Sequence, residues 1–272
     1  HTNNTAPCND NNQCTTGELC SGGSCQAGTP LSCPVGQTCG SASGRCLLPA
    51  TNATFQQGVS GYAGCVDTYI DAGAPTADNS AALTLTVDVL DPSLASRKQQ
   101  ALIKFGGLFA SEGGPIPGGA TINSGTLTLI ATNGSAQLIG FYRMKQAWLA
   151  TNTWNTFGAA PWNAPAGVQV TDAVEVTTTA DASSTIPTIG SNVITFGAIG
   201  IQGLQAWAAN PASNFGWVLD EITDDTLVLN SCNATTATNA PKLTVNYSPA
   251  TPCVTSADCV EGNLCTAESC VN

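Results

Sequence analysis

The sequence predicts an all-β protein, a sandwich or barrel held between cysteine-rich ends. Three observations carry that expectation. Short segments with strand patterning recur through the middle of the chain with turn residues between them, no stretch shows a convincing amphipathic helix, and 13 cysteines gather mainly at the two ends.

The strand segments are 66–70, 83–89, 101–105, 126–131, 138–144, 193–196, 216–219, 226–229 and 243–247, separated by Gly, Pro, Asn and Asp clusters. In the fifth, the imperfect alternation over 137–148 makes Leu138, Phe141 and Met144 one candidate buried face. Alternation then stops, and Trp154 and Trp162 fall in a loop rich in Asn, Thr, Gly and Pro. The GLQAWAA stretch, 203–209, reads as one short helical turn that drops Leu204 and Trp207 onto the end of the sandwich. Segments 177–188 and 233–240 are rich in Thr, Ser and Ala and read as exposed loops able to carry O-linked sugars. N-x-S/T sequons start at Asn3, Asn52, Asn133, Asn233 and Asn246, candidates for N-glycosylation in an organism that modifies asparagine.

The ends are built on cysteine spacing. Cys8, Cys14, Cys20 and Cys25 are separated by five, five and four residues, and Cys253, Cys259, Cys265 and Cys270 repeat that spacing. QCTTGELC in the first unit parallels DCVEGNLC in the last, so one small two-disulfide module is expected twice. Between the first unit and the body, Cys33, Cys39 and Cys46 fill the second, third and fourth places of another copy, with Thr29 about where the first would fall. Such stretches have almost no aliphatic core and need crosslinks to fold. Cys65 and Cys232 remain for the body and are expected to pair with each other, which leaves one cysteine unpaired among Cys33, Cys39 and Cys46. An odd thiol in a secreted chain points either to an intermolecular bridge or to a buried free thiol. Zinc is disfavoured, since thiolate zinc sites prefer two-residue gaps between ligands. The expected domains are 1–27 and 28–50 (cysteine-rich modules, the second incomplete), 51–249 (the β-body) and 250–272 (a C-terminal cysteine-rich module).

Composition narrows the function classes. Only 9% of residues are charged against 42% hydrophobic, and seven basic against 18 acidic residues give a net charge of −11. A chain so acidic repels phosphate backbones, so nucleic acid is excluded as a partner. No apolar run is long enough to insert into a membrane as a helix. The cysteine usage fits an oxidising, extracellular or cell-surface location, with His1 as the residue exposed when a signal peptide is removed.

Catalytic chemistry is hard to assemble from these residues. His1 is the single histidine, so neither a two-histidine copper site at the N-terminus nor a Ser-His-Asp or Cys-His arrangement is available. The acidic groups Asp67 with Asp71, Asp88 with Asp91, and Asp220, Glu221, Asp224 and Asp225 are candidates for carboxylate chemistry. In the last cluster Asp220, Asp224 and Asp225 form a weak calcium candidate, against the plainer reading of a solvated acidic turn. No other cofactor is expected. Among the five tryptophans, Trp148, Trp207 and Trp217 lie in apolar patterns and read as core, while Trp154 and Trp162 are the candidates for sugar stacking, with burial the commoner fate of such rings.

One resemblance joins these pieces. In order along the chain stand DTYID (67–71), ALIKF (101–105), IPGGATINSGTLTL (116–129), a strand ending in YR followed by W, TWN and a further W (138–162), LQAWAANPASNFGWVL (204–219) and PKLTVNY (241–247). This order resembles the DNRLRE-type domain of secreted microbial proteins over residues 52–249, although the charged string that names the family is replaced here by VLNSCNATTATNAP. The flanking units resemble short Cys-rich repeats of bacterial surface proteins. The resemblance implies a non-catalytic β-sandwich of jelly-roll type, some of whose relatives are regarded as carbohydrate-binding modules. Two functions are therefore expected: a structural subunit of a fibre, appendage, matrix or surface coat, partnered by copies of itself, or a carbohydrate-binding module of an adhesin or polysaccharide-targeting system. An enzyme is not expected.

Overall fold

A computed structural model describes residues 5–40, 45–89, 98–157, 162, 166–171, 174–221 and 225–250. The C-terminal cysteine-rich module, with Cys253, Cys259, Cys265 and Cys270, lies outside these residues, as do His1, Asn3, Asp91 and Asp224. Two compact units divide the described residues, an N-terminal one up to residue 51 that also takes in 119–121 and 248–250, and a larger one over 52–118 and 122–247.

In the N-terminal unit short strands alternate with turns: β1 (Thr15–Thr16), β2 (Leu19–Ser21), β3 (Ser24–Gln26), β4 (Thr29–Pro30), β5 (Thr38–Gly40) and β6 (Arg45–Leu47). The β2–β3 hairpin turns on Gly22 and Gly23, both at positive φ (61° and 86°), which glycine adopts without steric cost. It sets Cys20 opposite Cys25, and β5–β6 likewise sets Cys39 opposite Cys46. β1 pairs with β4 between the two modules.

The larger unit is the all-β, jelly-roll-type sandwich. Its strands are β7 (Thr51–Gln56), β8 (Cys65–Asp71), β9 (Thr84–Val87), β10 (Gln99–Phe105), β11 (Thr121–Asn133), β12 (Ser135–Arg143), β13 (Ala182–Ile186), β14 (Gly190–Thr195), β15 (Trp217–Glu221), β16 (Leu227–Asn230) and β17 (Lys242–Ser248). The chain passes from sheet to sheet to give one sheet in the order β13-β12-β15-β10-β8 and another in the order β7-β17-β11-β16-β9, with β14 also on β11. All nine predicted strands are present. β7 and β13 are additions, and β13 corrects the reading of 177–188 as wholly exposed loop, because Ala182 and Ile186 point inward from it.

The two sheets bury their faces differently. In the β7-containing sheet alternation is clean, with Leu85 and Val87, Leu127 and Leu129, Leu227 and Leu229, and Leu243, Val245 and Tyr247 inward. Its outer face is polar, and an amide ladder runs across it from Asn123 through Asn246 to Asn52 (3.0 and 2.9 Å). The other sheet is buried on both faces along β10 and β15. Ala101, Ile103, Phe105, Phe141, Trp217 and Leu219 face the sandwich interior, while Ile70, Leu102 and Val218 belong to a second apolar cluster on the opposite face.

On β12 the inward residues are Ile139 and Phe141, whereas Leu138 is 46% exposed, which corrects the predicted face of Leu138, Phe141 and Met144. Leu138 and Phe141 stand three residues apart, and an odd step along a strand puts two side chains on opposite faces. Met144, beyond the strand, is buried in the second cluster. The expected helical turn is a full helix, α1 (Ala198–Ala209), which buries Leu204 and Trp207 as predicted. The Trp207 ring lies 4.8 Å from that of Trp217, and Phe196 stacks on Trp217 from 5.0 Å.

Candidate functional site

The two tryptophans singled out for sugar stacking pave the outer face of the β8-containing sheet. Trp162 is 3% exposed and donates its indole N–H to the Thr153 carbonyl at 2.8 Å. Its ring meets Phe157 at 4.6 Å. Trp154 is half-buried against the same cluster, which gathers Ile70, Leu102, Met144, Trp148, Trp162, Val168, Val176 and Val218. Gly167 (φ 80°) comes so close beneath the Trp154 ring that a Cβ there would collide with it. The loop is pinned by Gln100, a fully buried amide on β10 that accepts from Val168 N–H and donates to Val168 C=O, each at 2.9 Å, and donates also to Asp220 at 2.9 Å. Trp162 therefore offers no face to a sugar. The predicted core tryptophans, Trp148, Trp207 and Trp217, are all buried.

Two of the three calcium candidates, Asp220 and Asp225, are engaged by partners within the fold. Asp220 is 4% exposed and is engaged by Lys98 (Nζ to Oδ1, 2.8 Å) and by Gln100, while Asp225 accepts the Ala136 N–H at 2.9 Å. Asp224 lies outside the described residues. Among the described residues no group of three or more His, Cys, Asp or Glu is placed to hold a metal ion.

Other buried carboxylates each have a hydrogen-bond partner of their own. Asp67, on the interior face of β8, accepts the Cys232 N–H at 2.6 Å, and burial pushes its pKa up to about 7. Glu221 accepts from Ser135 Oγ at 2.8 Å; burial, with Asp225, Asp88 and Asp220 adding repulsion, pushes it to about 7. Asp71 accepts from Gln99 at 2.7 Å and from the Gly73 N–H at 2.6 Å, and Asp88 accepts from Thr226 at 3.0 Å. Asp181 is raised by burial, opposed by Arg143 at 3.2 Å and by the Trp217 indole N–H at 2.9 Å. Sequence reading missed Asp181 altogether. An acid flanked by Thr, Ala and Ser gives no local sign that an indole and a guanidinium will converge on it.

The sequon asparagines are largely committed within the fold. The side-chain nitrogens of Asn133, Asn233 and Asn246 donate to Thr226 C=O (2.6 Å), Ser80 C=O (2.9 Å) and Asn52 Oδ1 (2.9 Å). A glycan on any of these nitrogens would have to replace that bond.

The cysteines form the cluster with a distinctive arrangement. Cys65 and Cys232 are bonded, as predicted. In the N-terminal unit the bonds are Cys8–Cys25, Cys14–Cys39 and Cys33–Cys46. This corrects two expectations. The first module is not closed by two bonds of its own, because Cys14 reaches forward into the next module. Among the described cysteines the unpaired one is Cys20, a half-buried free thiol where the first module was expected to hold a disulfide, while Cys33, Cys39 and Cys46 are all bonded. The odd count was legible from spacing; its place was not, because a bond between modules cannot be read from the spacing within one. No known protein family matches the chain, and no curated protein matches it.

Proposed function

We propose that this protein is a non-catalytic, extracellular structural subunit that assembles with copies of itself into a fibre, matrix or surface coat. The observation that carries the reading is the Cys14–Cys39 bond, which ties one cysteine-rich module to the next. A module whose cystine leaves it is a joining element. The C-terminal module repeats the 5-5-4 cysteine spacing of the first. Support comes also from the β-body, where neutral amides and hydroxyls pair across the outer face of the β7-containing sheet in the Asn123–Asn246–Asn52 ladder and the Thr54–Thr244 pair. Four cystines among the described residues favour an oxidising location outside the cell, and no described helix is long and apolar enough to cross a membrane. The motif order over 52–249 that resembles DNRLRE-type domains agrees with a non-catalytic body. Of the two rings proposed for polysaccharide binding, Trp162 is buried and Trp154 is half-buried, which favours the structural reading over that alternative.

Negative-stain electron microscopy of the native protein, kept free of reductant, tests the reading. Regular filaments or sheets are expected. Isolated particles at every concentration tried would overturn it.

A further inference from the structure

At one end of the larger unit, carboxylates from both sheets converge. Glu221 closes β15, two residues beyond Leu219 and on the same inward face. Asp88 follows β9 in the other sheet. The β9–β16 register, with Leu227 opposite Val87, carries on to set Thr226 beside Asp88, and Thr226 Oγ1 donates to Asp88 Oδ2 at 3.0 Å. The residue before Thr226 is Asp225. Two neighbours at the start of β12 draw it towards Glu221: Ser135 Oγ donates to Glu221 Oε1 at 2.8 Å, and the Ala136 N–H donates to Asp225 Oδ2 at 2.9 Å.

Glu221 is the unusual member of this group. It is 1% exposed, and its Oε2 has no hydrogen-bond partner among the described residues. A buried carboxylate loses far more hydration than one hydroxyl returns unless opposite charge meets it. Among the described residues, the charged groups acting on it are Asp225, Asp88 and Asp220, all of its own sign. Asp220 points to the outer face of its sheet, where Lys98 meets it at 2.8 Å. Glu221, Asp88 and Asp225 therefore form a nest of oxygens at the sandwich end, with a bare carboxylate oxygen buried inside it.

We propose that Glu221 and Asp88 bind a calcium ion that ties the two sheets together at this end of the sandwich. The donors are all oxygen, with no imidazole or thiolate, which selects a hard cation. Calcium takes six to eight oxygens in a flexible shell, whereas magnesium demands a near-ideal octahedron and keeps its water. The two carboxylates, one from each sheet, are a pair and not a group of three or more acids; main-chain carbonyls and water complete the shell. The site differs from the set expected from the sequence, because Asp220 is turned away from it and held by Lys98. It stands independently of the self-assembly reading.

The test uses the full chain, stripped with EGTA and returned to calcium chloride or magnesium chloride. Expected is a urea-unfolding midpoint that lies higher in calcium than in EGTA and rises with calcium concentration, since the ion binds the folded state. Glu221→Gln keeps an oxygen for Ser135 and removes the charge. This variant and Asp88→Asn should each weaken calcium binding at least tenfold by calorimetry and abolish the midpoint shift, while the exposed Asp78→Asn leaves both unchanged. A wild-type midpoint that calcium does not move would overturn the proposal. A shift retained by Glu221→Gln would also overturn it, by placing the ion elsewhere, and an equal shift in magnesium would overturn the choice of ion. Crystals of the wild-type protein grown in calcium chloride give a check that needs no variant to fold. The ion should lie about 2.3–2.6 Å from carboxylate oxygens of both Glu221 and Asp88, and ordered side chains there with no ion between them would refute the site.

Discussion

Replacing Asp67 by Asn should flatten the dependence of stability on pH. Asp67 is 4% exposed on the interior face of β8, where its carboxylate accepts the Cys232 N–H at 2.6 Å, and burial raises its pKa from 3.8 to about 7. Between those two values the folded protein holds a proton that the unfolded chain has released. Stability contributed by this site is therefore fully present below about pH 4, declines as pH rises through the window, and is lost above about pH 7. At roughly 1.4 kcal/mol for each tenfold change in proton affinity, the whole decline is at most about 4 kcal/mol. Asn keeps an oxygen acceptor for Cys232 and does not titrate. Urea unfolding followed by tryptophan fluorescence at pH 5, 6, 7 and 8 should show the wild type losing stability with rising pH. Asp67→Asn should lose less and be the more stable of the two at pH 8. Glu221 titrates in the same direction in both proteins, so the difference between the two profiles isolates Asp67. Parallel profiles would refute the argument that Asp67 is a desolvated acid.

Three further outcomes follow from the packing. Trp162→Ala should cost about 3–5 kcal/mol by opening a cavity over the β8-containing sheet, measured by urea unfolding. Its retention on insoluble glycans under native conditions should match that of the wild type, and a selective loss of retention without loss of stability would restore the sugar platform. Gly216→Ala should cost roughly 2 kcal/mol or more, seen as a lowered urea midpoint, because the residue sits at φ 71° and the new Cβ would collide with the Ile103 carbonyl on β10. Changing Cys65 and Cys232 together to Ala should cost about 2–5 kcal/mol, read by thermal melting, since their bond closes a long loop with a sequence separation of 167.

Local chain chemistry decided a good part of this architecture. Period-two alternation between turn residues is a property of a strand with one wet face, so β9, β11, β16 and β17 were legible: their polar residues do face outward. The same rule failed where that condition fails. β10 and β15 belong to a sheet covered on both sides, and their nearly continuous burial carries no period that says which side faces the sandwich. β13 is Ser- and Thr-rich and reads as loop, because its strand character comes from pairing with β12 and not from its own composition.

The candidate sites divide along the same line. Cysteine spacing alone predicted modules, an odd thiol and the Cys65–Cys232 bond, since these depend on counting and on position along the chain. Which cysteine stays free depends on the crossing from Cys14 to Cys39, a contact between modules that only the folded arrangement sets. Likewise, a tryptophan in a polar loop has the same sequence context whether its ring faces solvent or lies on a sheet. Gln100 and Val168, far apart in the chain, settle that question for Trp162 by pinning the loop down. Short-range patterning determines elements, because strands and turns are chosen by neighbouring residues. Tertiary contacts alone determine which surfaces those elements hide and which thiol they leave to react.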